Sequence, residues 1–476
     1  MNPDNRGQEP TGPVYAPVPL RTALSLDLGN GQNGTFVHSN IDGSTTFLLP
    51  DVRSAAAPTH PTAPATATQN QNHERAIHLI KLLYSCVAAL DEGEKELANK
   101  GLEMICSLAT DNGDPVHRLV SSFAEALALR IVQPWQGVCR ALQLPKTTPA
   151  PAAAAARRHF AVMCPFLRLA GTAANYAIID AVQTESNAVL HVVDLGGADP
   201  SQWLLLLRFF AKLPGASAHH QILRLTIVNE DDELLSSTAA LLAMEAKHLH
   251  VGFQFHPVKV HINQLVSVEP LGVRSGESLV IVSTLHLHRL LADEFAEVAT
   301  RPLDKKGKAP VHATMTRADA LLRDLAELSP KLMVVTEQEA KHNGVEFRVR
   351  FGNALKYYGA LFDALEESVP ARGSAMEREG VERCLLLDEI RDIIACDGAQ
   401  RRECHEPMLR WAARMEAAGF VTAPMSPGNV AQTAILARML AGGSRAYRID
   451  SENEGRCLFI YRDDVPMFSV STWRTV

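Results

Sequence analysis

The sequence predicts an α/β fold in which helices cover a mostly parallel sheet, with antiparallel strands near the C-terminus and a helical cap near the N-terminus. Two observations carry this prediction. Between residues 189 and 336, short apolar runs alternate with stretches of helical periodicity, as expected for right-handed βαβ units. From residue 446 onward, strand-like runs follow one another without a helix between them, which indicates antiparallel pairing.

The first 72 residues are rich in proline, alanine, threonine, asparagine and glycine and carry few charges. Such a segment cannot bury enough apolar surface to offset the entropy lost on ordering, so we expect residues 1–72 to be disordered. Residues 29–34 read GNGQNG, a spacing that fits the dinucleotide-binding fingerprint. That fingerprint works between a strand and a helix. Because no helical pattern follows here, a flexible polar loop is the favoured interpretation.

A helical cap is predicted over residues 73–135. Apolar residues within 77–87 repeat at helical spacing, and a second set follows after residue 98. Asp114 and Pro115 predict the start of a further helix, because aspartate caps a helix N-terminus and proline suits the first helical position. Residues 149–156 contain only proline and alanine, and we interpret them as a connector to the main domain.

Five short apolar runs predict the parallel strands. They lie at 189–195, 223–228, 252–255, 279–283 and 332–336. Helices are predicted from Pro200 to about Leu213 and from Asp231 to about His248. Continuous apolar runs of this kind are typical of parallel strands that are buried on both faces.

The C-terminal residues predict a different pairing. Residues 446–450 and 457–461 flank a polar turn that contains Gly455, which is the pattern of a hairpin, and residues 467–473 predict a last strand. A parallel sheet closed by antiparallel strands is the Rossmann-like architecture of the methyltransferase type. We therefore predict one such domain over residues 73–476.

The composition argues against several classes of protein. The 476 residues carry a net charge of −7, so the chain has no overall positive field to attract nucleic acid or an anionic membrane. The eight cysteines include no Cys-x-x-Cys pair, and Cys396, Cys404 and His405 have no second ligand pair at zinc-site spacing. No run of 18 apolar residues occurs. We expect a reduced intracellular protein without a metal site or a membrane span.

Several sequence blocks occur in a fixed order. Leucine-rich stretches lie in 73–135 and, more weakly, in 231–270. The block 160–230 lies between them and contains a strand-like motif made of Leu190, His191, Val192, Val193 and Asp194. The last two blocks, 275–395 and 396–476, contain the remaining motif residues. These are Pro330, Phe347, Tyr357, Arg401, Glu403, Trp411, Ser471 and Trp473.

This order of blocks resembles that of the plant GRAS family, and within it the scarecrow-like branch. The leucine-rich stretches are similar to the two leucine-rich regions of the family. The motif that ends at Asp194 is similar to the VHIID block, with leucine and valines at its apolar positions. The later residues are similar to the PFYRE block (275–395, together with Arg401 and Glu403) and the SAW block (396–476).

The resemblance implies a nuclear regulator of transcription with no catalytic activity and no cofactor. Family members act as co-regulators that join DNA-binding factors, notably zinc-finger proteins of the indeterminate-domain type, and other GRAS proteins, as homo- or heterodimers. Contact with DNA is then indirect. The scarecrow-like branch also implies a role in plant development or gibberellin-type signalling. We place partner contacts on the helical cap.

Two other classes of function stay open. The loop after Asp194 contains Gly196 and Gly197, and Asn229 and Glu230 follow the next strand, which partly matches the S-adenosylmethionine site of a methyltransferase. No substrate-activating group accompanies it, so a vestigial cleft is favoured over an enzyme. Direct DNA binding would require a basic patch. The arginines around Arg401 are interleaved with glutamates, which favours an ordinary salt-bridged surface.

Two segments fit the pattern Leu-x-x-Leu-Leu. They contain Leu79, Leu82 and Leu83, and Leu287, Leu290 and Leu291. An amphipathic helix with this pattern can dock into an apolar groove of a partner, and these six leucines are candidate partner-binding residues. Leucine at helical spacing is more typical of a core, which is the competing interpretation.

Overall fold

The fold is described from a computed structural model, which defines nine stretches of the chain. These are residues 64–110, 113–146, 148–183, 188–196, 200–213, 222–292, 315–441, 447–452 and 455–475. The GNGQNG segment and most of the segment predicted to be disordered lie outside the described residues. The first helix begins at Pro64, ahead of the predicted boundary at residue 73.

Within the described residues, six helices precede the first strand. They are α1 (Pro64–Asp91), α2 (Lys95–Leu108), α3 (Pro115–Val132), α4 (Gln136–Leu142), α5 (Ala150–Met163) and α6 (Phe166–Val182). The predicted start of α3 is confirmed, because the Asp114 side chain accepts a hydrogen bond from the backbone N–H of His117 at 3.0 Å and Pro115 opens the helix.

The connector predicted at residues 149–156 is wrong. This stretch forms the first half of α5, with a proline in the first turn. Alanine has the highest helix propensity of all residues, and a proline in the first turn gives up an N–H that has no partner inside the helix. Proline and alanine together therefore continue the chain as a helix here.

The predicted parallel strands are confirmed. They are β1 (Val189–Asp194), β2 (Ile222–Val228), β3 (Gly252–Val258), β4 (Ser278–Thr284) and β5 (Leu332–Gln338). The helices between and after them are α7 (Pro200–Phe210), α8 (Asp232–His248), α9 (Arg317–Glu327), α10 (Phe347–Arg372), α11 (Ala375–Val381), α12 (Leu387–Ala395), α13 (Met408–Ala417) and α14 (Pro427–Leu440). A 3₁₀ turn at Leu287–Leu291 follows β4, and a π-helical turn at Glu382–Leu386 joins α11 to α12.

Antiparallel strands complete the sheet, as predicted. They are β6 (Phe420–Thr422), β7 (Tyr447–Glu452), β8 (Cys457–Arg462) and β9 (Val465–Thr475). The order along the sheet is β3-β2-β1-β4-β5-β9-β8-β7, with β6 paired to β9 beside this path. The first five strands run parallel, and β9 pairs antiparallel with β5 and with β8. The predicted Rossmann-like, methyltransferase-like sheet is thus observed.

Each face of the sheet carries its own apolar core. Adjacent residues of β1 show the division, since Val192 packs into one core and Val193 into the other, and both are fully buried. The larger core includes helices of the N-terminal cap and α10. The smaller core includes α9 and the 3₁₀ turn after β4. Burial on both faces explains why the parallel strands have no polar alternation.

The N-terminal cap packs on the long helix α10. Phe351 of α10 makes edge-to-face ring contacts with Tyr84 and Phe123 of the cap at 5.7 and 5.4 Å. Arg118 of α3 is also buried, and its Nε lies 2.9 Å from a carboxylate oxygen of Glu382. The cap therefore belongs to the larger core, although it lies far from α10 in the sequence.

The six leucines of the two Leu-x-x-Leu-Leu segments are all buried, with at most 5% of any side chain exposed. Leu79, Leu82 and Leu83 face the larger core from α1. Leu287, Leu290 and Leu291 lie in the 3₁₀ turn and face the smaller core. This burial argues against the docking role and for the core role, because a partner would have to remove these side chains from their own packing.

Among the described residues, no single helix is both long and apolar enough to cross a membrane. One bent pair, α5 with α6, satisfies the length and composition together, with a bend of 76° between the two helices.

Candidate functional site at the carboxyl edge of the parallel sheet

Open α/β sheets bind ligands at the edge where their parallel strands end. In this chain Asp194 ends β1, Asn229 follows β2, and Glu337 lies near the end of β5. His286 and His288 follow β4. Most of these side chains are recruited into hydrogen bonds within the protein, and two separate groups result.

The first group lies around the end of β1. The buried Asp194 carboxylate accepts a hydrogen bond from the indole N–H of Trp203 at 3.0 Å. Asn229 donates to the carbonyl of Gly196 at 3.2 Å, and its side-chain oxygen accepts from the backbone N–H of Asp231 at 2.9 Å. Gly196 has a φ of +129°, and a β-carbon there would lie 2.8 Å from the His286 ring. Asp194 and Asn229, two of the residues proposed for S-adenosylmethionine, are therefore already hydrogen-bonded within the protein, while residues 197–199 lie outside the described chain.

His191, the second residue of the VHIID-type motif, is buried and hydrogen-bonds to polar side chains on neighbouring segments. Its Nδ1 lies 2.8 Å from Glu277 and its Nε2 lies 2.8 Å from the Thr226 hydroxyl. Arg224 bonds the other oxygen of Glu277 at 2.9 Å. Burial lowers the pKa of His191 to about 4. The Glu277 carboxylate opposes this shift, but Arg224 offsets part of the effect of that carboxylate.

We expect this histidine to make folding pH-dependent. Because the folded pKa of about 4 lies below the ordinary 6.5, the stabilising contribution is present above pH 6.5 and is lost as the pH falls towards 4. Between pH 7 and pH 5 this amounts to about 1–2 kcal/mol of unfolding free energy. Urea unfolding at both pH values should show a smaller loss in His191→Gln than in the wild type. The exposed His248→Gln is the control and should keep the wild-type loss; an equal loss in all three proteins would contradict the prediction.

The second group centres on Glu403, which the sequence placed in the PFYRE-type motif. His288 lies between two carboxylates, with Nδ1 at 2.7 Å from Glu337 and Nε2 at 2.9 Å from Glu403. Arg289 reaches the other oxygen of Glu403 at 2.9 Å. His405 Nε2 lies 3.3 Å from the oxygen of Glu403 that faces His288. These contacts join the turn after β4, the end of β5 and the segment before α13.

We call His288, Arg289, Glu337, Glu403 and His405 the Glu403 cluster. Neighbouring charges determine the protonation of His288 and Glu403 within it. Burial alone would raise the pKa of Glu403, but Arg289 and His288 hold it well below its ordinary range. Burial alone would lower the pKa of His288, yet the two carboxylates raise it to about 9. His288 is therefore an imidazolium between two carboxylates. Buried charges are tolerated when they are paired and hydrogen-bonded, and both ring nitrogens of His288 have a carboxylate partner.

A second layer of carboxyl groups lies behind this cluster. Glu389 accepts a hydrogen bond from the Tyr358 hydroxyl at 2.8 Å, and Asp392 accepts from the backbone N–H groups of Arg402 and Glu403 at 2.8 Å each. Burial, with the charge of Glu403, raises the pKa of Glu389 to about 7.

The remaining motif residues of the PFYRE and SAW blocks are buried or hydrogen-bonded within the protein. Phe347 begins α10, and the Tyr357 hydroxyl of the same helix donates to the backbone carbonyl of Met467 at 2.9 Å, which joins α10 to β9. In β9, the Trp473 indole donates to the Ser471 hydroxyl at 2.9 Å. Pro330, Arg401 and Trp411 are also buried. The motifs thus surround the junction of β5 and β9.

Part of the Glu403 cluster has no signal in the sequence. Glu403 belongs to a predicted motif, whereas no sequence pattern singles out Glu337 or His288 as a functional residue. His288 is a buried histidine with a hydrogen-bond partner at each ring nitrogen. Arg414 is ion-paired, since it bonds Glu406 at 2.8 Å and Asp319 at 3.0 Å.

The model of the GRAS domain family matches residues 79–474, which include both polar groups and nearly all of both cores. The chain belongs to the GRAS family. This GRAS chain is 35% identical over 444 residues to Scarecrow-like protein 3 of Arabidopsis thaliana, a match that covers 84% of this chain and 89% of that protein. The scarecrow-like resemblance is thereby confirmed.

Two further GRAS comparisons are informative. Scarecrow-like transcription factor PAT1 of Arabidopsis thaliana is 29% identical over 393 residues, which cover 80% of this chain and 74% of that protein. The crystal structure of SCL7 in Oryza sativa matches with a TM-score of 0.69 at 27% identity, covering 83% of this chain and 99% of that chain. The GRAS fold of this chain is thus shared with a solved structure.

Proposed function

We propose that this GRAS protein is a nuclear transcriptional co-regulator that acts by binding other proteins and not by catalysis. Its partners are DNA-binding factors of the indeterminate-domain zinc-finger type and other GRAS proteins, in plant developmental or gibberellin-type signalling. The net charge of −7 favours indirect contact with DNA. A relative named as a transcription factor supports the regulatory class.

One observation carries the non-catalytic part of the proposal. At the edge where a methyltransferase would bind its cofactor, the polar side chains already bond within the protein, and the His286 ring lies against Gly196. A ligand there would have to displace Trp203 from Asp194 and His286 from the glycine. The same fold supports many functions, so these hydrogen bonds, and not the sheet itself, argue against a cofactor at this edge.

The experiment is calorimetric titration of the full chain with two titrants, S-adenosylmethionine and an indeterminate-domain zinc-finger protein. We expect no heat from the cofactor and a defined stoichiometry with the zinc-finger protein. Saturable cofactor binding that is lost in Asp194→Ala, but kept in Glu327→Ala, an exposed control at the end of α9, would overturn the non-catalytic proposal. Absence of zinc-finger binding would overturn the choice of partner.

A DNA titration separates indirect from direct binding. We expect the GRAS chain to join a duplex only when the zinc-finger protein is present. Binding to the duplex alone, with an affinity that falls steeply as salt is added, would instead support direct recognition. Imaging of the tagged full chain in plant cells tests the nuclear location.

A further inference from the structure

Within the Glu403 cluster, two imidazole nitrogens converge on one carboxylate oxygen. His288 Nε2 lies 2.9 Å and His405 Nε2 lies 3.3 Å from the same Glu403 oxygen, and all three atoms lie within 4.8 Å of one another. In a tetrahedral zinc site with bonds of about 2.0–2.1 Å, neighbouring ligand atoms are about 3.3 Å apart. The three side chains are 2%, 0% and 10% exposed for His288, His405 and Glu403. The spacing therefore matches a buried metal site.

The outward nitrogens of both rings are also held. A histidine that binds a metal commonly donates its other N–H to a carboxylate or another acceptor, which fixes the ring and its tautomer. His288 Nδ1 lies 2.7 Å from Glu337, and His405 Nδ1 lies 2.9 Å from His342 Nδ1. Glu337 and His342 are both buried. Each ring is thereby oriented with its Nε2 towards Glu403.

The hydrogen bonds inside the site are incomplete. Among the described residues, neither His405 Nε2, at 3.3 Å from Glu403, nor His342 Nε2 makes a hydrogen bond of good geometry. If His405 donates from Nδ1 to His342, its Nε2 directs a lone pair at a carboxylate oxygen. If His342 is the donor, its own Nε2 is left as an unpaired acceptor. Buried polar atoms without a partner are uncommon, and a cation between His405 and Glu403 would satisfy the first arrangement.

The surrounding charge favours a cation. Glu337, Glu389, Asp392 and Glu403 contribute four carboxyl groups, which are opposed by Arg289 and by the imidazolium of His288. Arg289 bonds Oε1 of Glu403, whereas both histidines face Oε2, so the guanidinium leaves the candidate ligand oxygen available. The ion would replace the proton now shared between His288 and Glu403.

We propose that His288, Glu403 and His405 bind one divalent transition-metal ion, with Zn²⁺ as the best match. Two imidazoles and one carboxylate suit zinc and cobalt, and the three protein ligands leave a fourth position for water. The ion would fasten the 3₁₀ turn after β4 to the segment before α13. This proposal is independent of the proposed function, since its readout is bound metal and not partner binding.

The test uses the full chain, purified after exposure to excess Zn²⁺ and passed through a desalting column. Elemental analysis should find one zinc per chain in the wild type and none above background in Glu403→Gln. The matched control is His191→Gln, which removes a buried histidine outside the site and should retain the zinc. A wild-type chain without zinc, or equal zinc in Glu403→Gln and the wild type, overturns the proposal.

A second variant keeps the test decisive if Glu403→Gln fails to fold. Glu337→Gln retains all three ligands and removes only the carboxylate behind His288. We expect its zinc affinity, measured by competition with a chromophoric chelator, to be about 10–100-fold weaker than that of the wild type. Addition of Co²⁺ to the metal-free wild type should also give the visible bands of a tetrahedral site. Unchanged affinity in Glu337→Gln, or the absence of these bands, overturns the proposal.

Discussion

Replacement of Arg118 by alanine is expected to lower the free energy of unfolding by about 3–5 kcal/mol, the usual cost of removing one partner from a buried ion pair. Arg118 is 5% exposed, and its guanidinium contacts Glu382 at 2.9 Å, Glu366 at 2.7 Å and the backbone carbonyl of Gly113 at 2.6 Å. The variant would leave Glu382 buried without its main counter-charge. Urea unfolding followed by circular dichroism gives the difference.

A surface ion pair provides the matched control. Arg208 contacts Glu245 at 2.7 Å, but the Arg208 side chain is 55% exposed, so Arg208→Ala should cost no more than about 1 kcal/mol. The loss in Arg118→Ala should also appear as faster amide exchange in α3 than in β1, because Arg118 fastens the cap to α10 and to the turn after α11. Equal destabilisation by the two arginine variants would refute this explanation.

The second large effect is expected at Trp203. Trp203 is 2% exposed in the larger core, and truncation of a buried tryptophan to alanine costs about 3–5 kcal/mol. Trp203→Phe keeps most of the apolar volume but removes the indole N–H that bonds Asp194, so we expect an intermediate loss of about 1–3 kcal/mol. Thermal and urea unfolding of both variants measure the two contributions separately.

Another tryptophan serves as the control. Trp135 is 52% exposed, and Trp135→Ala should change stability by about 0.5 kcal/mol or less. A double-mutant cycle of Trp203→Phe with Asp194→Asn then isolates the hydrogen bond. If Trp203→Phe is as stable as the wild type, the bond to Asp194 does not hold α7 against the end of β1, and the argument against a cofactor at that edge is weakened.

Much of the fold follows from local patterns in the sequence. The apolar runs at β1 and β5 are surrounded by core on both faces, so their continuous apolar composition correctly predicts central strands of the sheet. The sequence of 149–156 does not distinguish a connector from a helix, because proline and alanine suit both a linker and the first turns of a helix. Only the packing of α5 against the rest of the protein decides between them.

The Glu403 cluster could not be predicted in the same way. His288 contacts partners that lie 49 and 115 residues away in the sequence, so no spacing rule brings them together. The leucine segments show a related limit, since Leu79 and its neighbours have the same helical spacing in a core as in a docking motif. Burial separates these two cases, and burial depends on the whole fold.

The position of β9 has a consequence for synthesis of the protein on the ribosome. β9 lies between β5 and β8 and pairs with both, although a long stretch of chain separates β5 from β9. While that stretch is being translated, the emerging chain presents β5 as an open edge that can recruit foreign strands. We therefore expect nascent chains of this protein to need chaperone protection until β9 emerges, and products terminated before β9 to be removed by quality control.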